Sequence, residues 1–163
     1  MALVIEDGTG YITAQSYVTS VEVITYANLY GQTPPVSTEV SIMQAMRYLE
    51  GAYYDRWVGY KKTEDQALSW PRTYAVKRDG WSISESTIPK ELKNAVCALA
   101  IKHGLGEDLL PDMTNANRVK QEMIGPIMVK YADNALAYTV YKDVEFILTS
   151  IISARSFAKV ERT

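Results

Sequence analysis

Two segments of the sequence carry apolar residues at the spacing of an α-helix, and this pattern constrains the fold most. The first stripe consists of Ile42, Ala45, Met46, Leu49 and Tyr53. The second consists of Leu92, Ala95, Val96, Leu99 and Ala100. Residues three and four positions apart lie on one side of a helix, so each stripe predicts a helix that buries that side against the rest of the protein.

Residues that start and stop helices support this prediction. The run Thr19-Ser20-Val21-Glu22 fits a capping box, in which the first and last side chains bind free backbone N–H groups, so an earlier helix should begin after Thr19. Gly31 suits the left-handed conformation that closes a helix. Pro89 fits a first turn, where its missing N–H costs nothing, and Gly104 ends that later helix. A last helix is predicted from the stripe formed by Val144, Ile147, Leu148 and Ile151.

After Pro111 the period changes to two, which is typical of β-strands. Apolar or amide residues alternate with charged ones, and the Gly125-Pro126 pair interrupts the alternation. The alternating positions include Val119, Gln121, Met123, Ile127, Val129 and Tyr131. We predict two strands around a turn, over about 118–132, and such a hairpin needs the helices or a neighbouring sheet for stability.

These patterns predict a mainly α fold: a small bundle of about four helices with a β-hairpin and an extended C-terminal tail. A chain of 163 residues can bury roughly two-thirds of its unfolded surface, so it needs neither metal nor disulfide to hold a core. We expect a single domain over 1–163. Its helical body covers about 17–110, the hairpin about 118–132, and the C-terminal helix and tail about 140–163.

The stretch from Tyr54 to Thr87 follows neither period and carries all three tryptophans, Trp57, Trp70 and Trp81. One interpretation is a long loop that these rings anchor to the helical body. The other is a surface for single-stranded nucleic acid, which binds to rings beside cations. The nearby cations are Lys61, Lys62, Arg72, Lys77 and Arg78, and the acidic residues beside them are Glu64, Asp65 and Asp79.

The residues that most enzymes and metal sites use are scarce in this sequence. With one cysteine and one histidine, the chain cannot supply the three or four ligands of a typical zinc site. Cys97 and His103 would lie roughly 120° apart around one helix, too far to form a nucleophile–base pair within it. The acidic group Glu107, Asp108 and Asp112 lacks the spacing of a calcium loop. We therefore expect no catalytic residue, no metal site and no cofactor.

Composition limits the setting of the protein without naming its function. No apolar run approaches the roughly 20 residues of a membrane helix, and the first residues lack the basic start of a signal peptide, so we expect a cytosolic product and no membrane partner. Nineteen acidic residues against seventeen basic ones give a net charge of −2, which provides no overall attraction to nucleic acid.

Five blocks of sequence carry a resemblance through their order and spacing along the chain. They are VIEDGTG at 4–10, AQSYV at 14–18, QALSWPR at 66–72, IPKELKNA at 88–95 and IGPIMVKYA at 124–132. In this order they resemble the head-to-tail connector, or adaptor, proteins of tailed bacteriophages, and the resemblance spans nearly the whole chain. Related prophage sequences are often labelled DnaT-like single-stranded-DNA-binding proteins.

The resemblance implies a structural virion protein without catalysis, made in the bacterial cytoplasm. It would form a ring, typically of twelve copies, beneath the portal protein at the head–tail neck. Genome DNA would pass through the ring without specific contacts, and the next tail component would dock on it. A DnaT-like accessory protein of replication, which binds single-stranded DNA, is the alternative.

Two groups of site residues follow from the same resemblance. The hairpin would join neighbouring subunits, and the end of the chain would reach the portal. The residues of the subunit interface would be Val119, Met123, Ile127, Val129 and Tyr131. Those of the portal-contacting tail would be Phe157, Lys159, Val160 and Arg162.

Overall fold

The computed structural model describes residues 3–111 and 139–153, together with the backbone of two strands within 121–130. In chain order the elements are α1 (Ser20–Leu29), α2 (Thr38–Ala52), β1 (Tyr60–Lys61), β2 (Arg72–Thr73), α3 (Lys90–Gly104), β3 (Gln121–Ile124), β4 (Ile127–Lys130) and α4 (Lys142–Leu148). The predicted fold class, mainly α with four helices and a small antiparallel hairpin, is confirmed.

The start of α1 forms the predicted capping box. The Thr19 hydroxyl accepts from the Glu22 N–H at 3.2 Å, and the Glu22 carboxylate accepts from the Thr19 N–H at 2.7 Å. Beyond the helix, Gly31 has a φ of +64°, as expected for a residue that closes a helix. The start of α2 differs from that of α1. Ser37 occupies the cap position of α2, but its side chain forms no capping hydrogen bond.

The helix α3 lies at the centre of the bundle and contacts α1, α2 and α4. Its small side chains Ala95 and Ala100 are fully buried, which allows the neighbouring helices to approach closely. The predicted stripe on α2 is also buried, and from α4 the buried residues are Val144 and Leu148. The C-terminal end of α3 meets the α1–α2 connection, where a Cβ on Gly104 would lie 2.7 Å from Pro35 Cβ.

The strands β3 and β4 pair in antiparallel register, with Gln121 opposite Lys130 and Ile124 opposite Ile127. The predicted hairpin is therefore present in the backbone. Among the described residues, every helix is too short or too polar to span a lipid bilayer.

The stretch between α2 and α3 is held to the body by two of its three tryptophans. Trp70 is fully buried and Trp57 nearly so, and their rings meet edge to face with centroids 6.2 Å apart. The prediction that Trp81 also anchors the loop is wrong, because its side chain is 74% exposed. Trp81 follows a tight turn, in which its carbonyl accepts from the Lys77 N–H at 2.8 Å, and the side chains of this turn from Arg78 to Gly80 are exposed.

Candidate functional site

The outer sides of α1 and α2 carry apolar residues that the fold leaves exposed. On α1 they include Val21 (71% exposed) and Leu29 (77%). On the outer side of α2 and just before it are Val36, Val40 and Met43, at a spacing of four and three residues, which places them on one stripe. Single exposed apolar side chains are ordinary, whereas apolar stripes along two helices are candidate interaction surfaces.

This surface is not the one that the sequence predicted for subunit contacts. Periodicity in the sequence identified the buried stripes of the helices. It could also have identified the exposed stripe of α2, because Val36, Val40 and Met43 follow the same i, i+4, i+7 spacing. The predicted interface lies on the hairpin instead. Met123, Ile127 and Val129 belong to β3 and β4, of which only the backbone is described. Val119, Tyr131 and the tail residues Phe157, Lys159, Val160 and Arg162 lie outside the described residues.

Two of the candidate DNA contacts, Trp70 and Arg72, have structural roles. Trp70 is fully buried, and its backbone N–H donates to the Tyr17 hydroxyl at 3.0 Å. Tyr17 in turn donates to the Glu50 carboxylate at 2.6 Å, and burial together with Glu50 raises the pKa of Tyr17 well above its usual value. Removing Trp70 would therefore disrupt the core before it affected any ligand.

The guanidinium of Arg72 holds the loop together through three backbone carbonyls. It donates to Val58 at 2.8 Å, to Gly59 at 2.6 Å and to Ser69 at 3.2 Å. These bonds use a donor on each of the three guanidinium nitrogens and fix the group against the loop backbone, so Arg72 has a structural role. Burial also lowers the pKa of Arg72, the effect expected for a cation partly withdrawn from water.

A second exposed surface remains in this loop and contains rings and cations. Tyr60, Tyr74 and Trp81 are 73%, 87% and 74% exposed. Lys61 follows Tyr60 on β1, and Arg78 lies in the turn that precedes Trp81. Exposed rings beside cations are the combination that binds single-stranded nucleic acid by stacking and charge.

The described residues contain no cluster of His, Cys, Asp and Glu side chains that could hold a metal ion. Cys97 is buried, and burial raises the pKa of its thiol to about 12, so it remains a protonated thiol near neutral pH. The Nδ1 atom of His103 lies 3.1 Å from the hydroxyl of Ser41, a buried residue on α2. Cys97 and His103 thus both contribute to the packing of the helices.

The fold and these surfaces define a small, mainly α protein with exposed apolar and aromatic side chains. A family model with the description "Putative DnaT-like ssDNA binding protein" matches residues 1–163, so the chain belongs to this family. Its description names single-stranded-DNA binding and does not mention head-to-tail connectors. Searches of curated proteins and of solved structures find no match.

Proposed function

We propose that the protein is a structural component of a phage virion, a head-to-tail adaptor that acts without catalysis. Copies of the chain form a ring beneath the portal, extend the channel for the genome and offer a docking site to the next tail component. The observation that carries this proposal is the pair of exposed apolar stripes on α1 and α2. The order of the sequence blocks described above supports it independently.

A ring requires two different surfaces on each subunit, because one patch of a copy meets another patch of the next. The stripe on α1 and the stripe on α2 lie on different helices and supply two such patches. Their residues are aliphatic, as in the centre of a protein–protein interface, where charged residues are depleted. The roles predicted for the hairpin and for the C-terminal tail remain parts of the same proposal.

Single substitutions on the stripes test the proposal. Val21→Asp and Val40→Asp each place a charge where a neighbouring copy would cover it, so we expect the fold to persist and assembly to fail. Ile12→Asp is the matched control, since Ile12 is 69% exposed and lies outside both helices. Circular dichroism checks the fold, and electron microscopy of particles of the encoding phage, complemented with each variant, shows whether the protein is present at the neck.

The result expected is a neck ring with the wild-type chain and with Ile12→Asp, and none with the two stripe variants. Normal necks with both stripe variants would show that these stripes do not join subunits. Particles with intact necks that lack this protein would contradict the adaptor function itself.

The second candidate, binding of single-stranded DNA, is favoured by the exposed Tyr60, Tyr74 and Trp81 and by the description of the family. If the protein binds DNA, quenching of Trp81 fluorescence by oligothymidylate should be saturable and should weaken steeply with salt. Trp81→Ala should lower the affinity by roughly tenfold, since stacking on one ring contributes about 1–3 kcal/mol. Because this variant lacks the Trp81 fluorophore, its affinity is compared with that of the wild type by the fluorescence anisotropy of dye-labelled oligothymidylate. Tyr11→Ala is the control, because Tyr11 is exposed in the N-terminal segment.

A further inference from the structure

A groove lies between α4 and the turn that contains Arg78, apart from the stripes on α1 and α2. It consists of two cavities of about 420 and 400 Å³, and both are lined by Arg78, Phe146 and Thr149. Because the cavities share these residues, they form one groove that passes on both sides of Phe146. The Phe146 ring is 78% exposed, so a ligand in the groove would cover it.

The groove carries more positive than negative charge. Arg56 forms an ion pair with Glu145 at 2.7 Å, which balances one cation. Arg78 and Lys142 also line the groove, and neither has an ion-pair partner among the described residues. Asp79 lies at the far side of the groove and is the remaining carboxylate of its lining. A ligand with one or two carboxylates would therefore meet complementary charge.

The wall of the groove also presents a short backbone edge. Ile152 pairs with Trp57 in an antiparallel bridge, flanked by bonds from Val58 N–H to Ile151 C=O and from Ser153 N–H to Arg56 C=O. In a pair of this type the N–H and C=O of the central residue point away from the partner. Those of Ile152 therefore point away from Trp57 and have no backbone partner among the described residues, so another extended backbone can pair with them, as in β-strand addition.

We propose that this groove binds an extended acidic segment of a partner protein. A carboxylate of the segment lies between Arg78 and Lys142, an apolar side chain covers Phe146, and the backbone follows Ile152. The end of this chain is a poor occupant, since residues 154–163 contain three cations and one acidic residue. A nucleic-acid strand is also disfavoured, because its continuous phosphates would approach Glu145 and Asp79. The proposal does not depend on the ring.

The test uses the full-length protein and the synthetic peptide acetyl-Gly-Ser-Phe-Glu-Val-Asp-Gly-amide, which carries two carboxylates. NMR titration should show saturable shifts of the Phe146 ring and of the Ile152 methyl groups. A peptide with Asn and Gln in place of the acids should bind roughly two- to fivefold more weakly, and Arg78→Glu should weaken the acidic peptide by a similar factor, the size expected for exposed ion pairs. Arg47→Glu, a charge reversal at an exposed position of α2, is the control and should leave the affinity unchanged.

Four results would overturn the proposal. The first is the absence of saturable shifts at Phe146, and the second is equal binding of the acidic and neutral peptides. The third is a stronger response of Phe146 to oligothymidylate than to the acidic peptide, which would assign the groove to nucleic acid. The fourth is a shift of the Phe146 ring in a Phe157→Ala variant without ligand, which would show that the chain's own end fills the groove.

Discussion

The carboxylate of Glu6 organises the N-terminal segment although it is almost completely buried. One of its oxygens accepts from the N–H groups of Gly8 and Gly10, both at 2.9 Å, and the other accepts from the Tyr11 N–H at 2.8 Å. Gly8 adopts a φ of +104°, and a Cβ there would lie 2.0 Å from the Ser86 carbonyl oxygen. The VIEDGTG block of the sequence thus has a structural explanation: a buried acceptor surrounded by a turn that only glycine fits.

Replacing Glu6 with alanine should destabilise the protein strongly. Three backbone donors would lose their acceptor, and we expect the free energy of unfolding to fall by about 2–3 kcal/mol. Urea denaturation measures this change. Asp7→Ala is the neighbouring control, because the Asp7 carboxylate is exposed and, among the described residues, its hydrogen bonds go to Thr9, so its loss should lower the free energy of unfolding much less. Equal effects of the two substitutions would show that Glu6 does not hold the turn.

The acid stability of the protein should depend on Glu22. Partial burial by itself raises its pKa, but the hydrogen bonds from Thr19 and the ion pair with Lys93 lower it more, so the net pKa lies below the usual 4.5. The folded state therefore binds this proton less readily than the unfolded state. Its contribution to stability is present above pH 4.5 and is lost as the pH falls through the folded pKa.

Urea midpoints measured from neutral pH to below pH 4.5 test this expectation. The wild-type protein should lose stability on acidification more steeply than Glu22→Gln, which has no carboxylate to protonate at that position. Glu107→Gln, at an exposed position beyond α3, should follow the wild-type curve. Parallel curves for the wild type and Glu22→Gln would contradict the assignment.

At the scale of elements, the loop between α2 and α3 depends on close backbone packing at Gly59. Its φ is +71°, and a Cβ there would lie 2.4 Å from the Thr73 carbonyl oxygen and 2.8 Å from the Ala75 nitrogen. Gly59→Ala should therefore lower the free energy of unfolding by more than about 2 kcal/mol, through strain and collision together. Gly80→Ala is the matched control, since Gly80 also has a positive φ but open space around it. We expect this substitution to lower the free energy of unfolding by about 1 kcal/mol. Thermal denaturation of both variants measures the two losses of stability. Similar losses for Gly59→Ala and Gly80→Ala would contradict the role of close packing at Gly59.

The helices could be predicted from the sequence because their signals are local. The capping box at Thr19, the stripe on α2 and the breaker at Gly31 each involve residues within a few turns of one another. The loop could not be predicted in the same way, since its contacts join distant positions, such as Tyr17 with Trp70 and Glu50 with Ser69. A sequence pattern does not show which distant side chain will satisfy a buried donor.

The same reasoning explains which parts of the candidate surfaces were missed. In α1 apolar residues occur on both sides, with Val23 and Ala27 buried and Val21 and Leu29 exposed. Periodicity indicates that such a helix has apolar sides, but only packing against α3 decides which side faces water. Trp81 illustrates the converse error, because a large ring in a loop was expected to be buried. The turn before it instead leaves the Trp81 side chain exposed to water.

At the scale of the whole molecule, Trp57 connects three regions that are far apart in sequence. The centroid of its ring lies 5.7 Å from the ring centroid of Tyr53, just after α2, and 6.2 Å from that of Trp70 in the loop. Its backbone forms the bridge to Ile152, just beyond α4. The nearby ion pair of Arg56 with Glu145 joins the same regions. The loop and the helices therefore share one core, although the loop has almost no regular secondary structure.

This shared core predicts that the loop and the helices unfold together. In a Trp81→Phe variant the remaining fluorophores, Trp57 and Trp70, report on the loop, while far-ultraviolet circular dichroism reports on the helices. We expect the two urea transitions to coincide, as in a two-state unfolding, and the circular dichroism midpoint to match that of the wild type, because Trp81 is exposed. A fluorescence transition at lower urea would show that the loop detaches before the bundle unfolds. In that case the buried ring contacts of Trp57 would contribute little to the stability of the helices, and the loop would have to be treated as a separate unit.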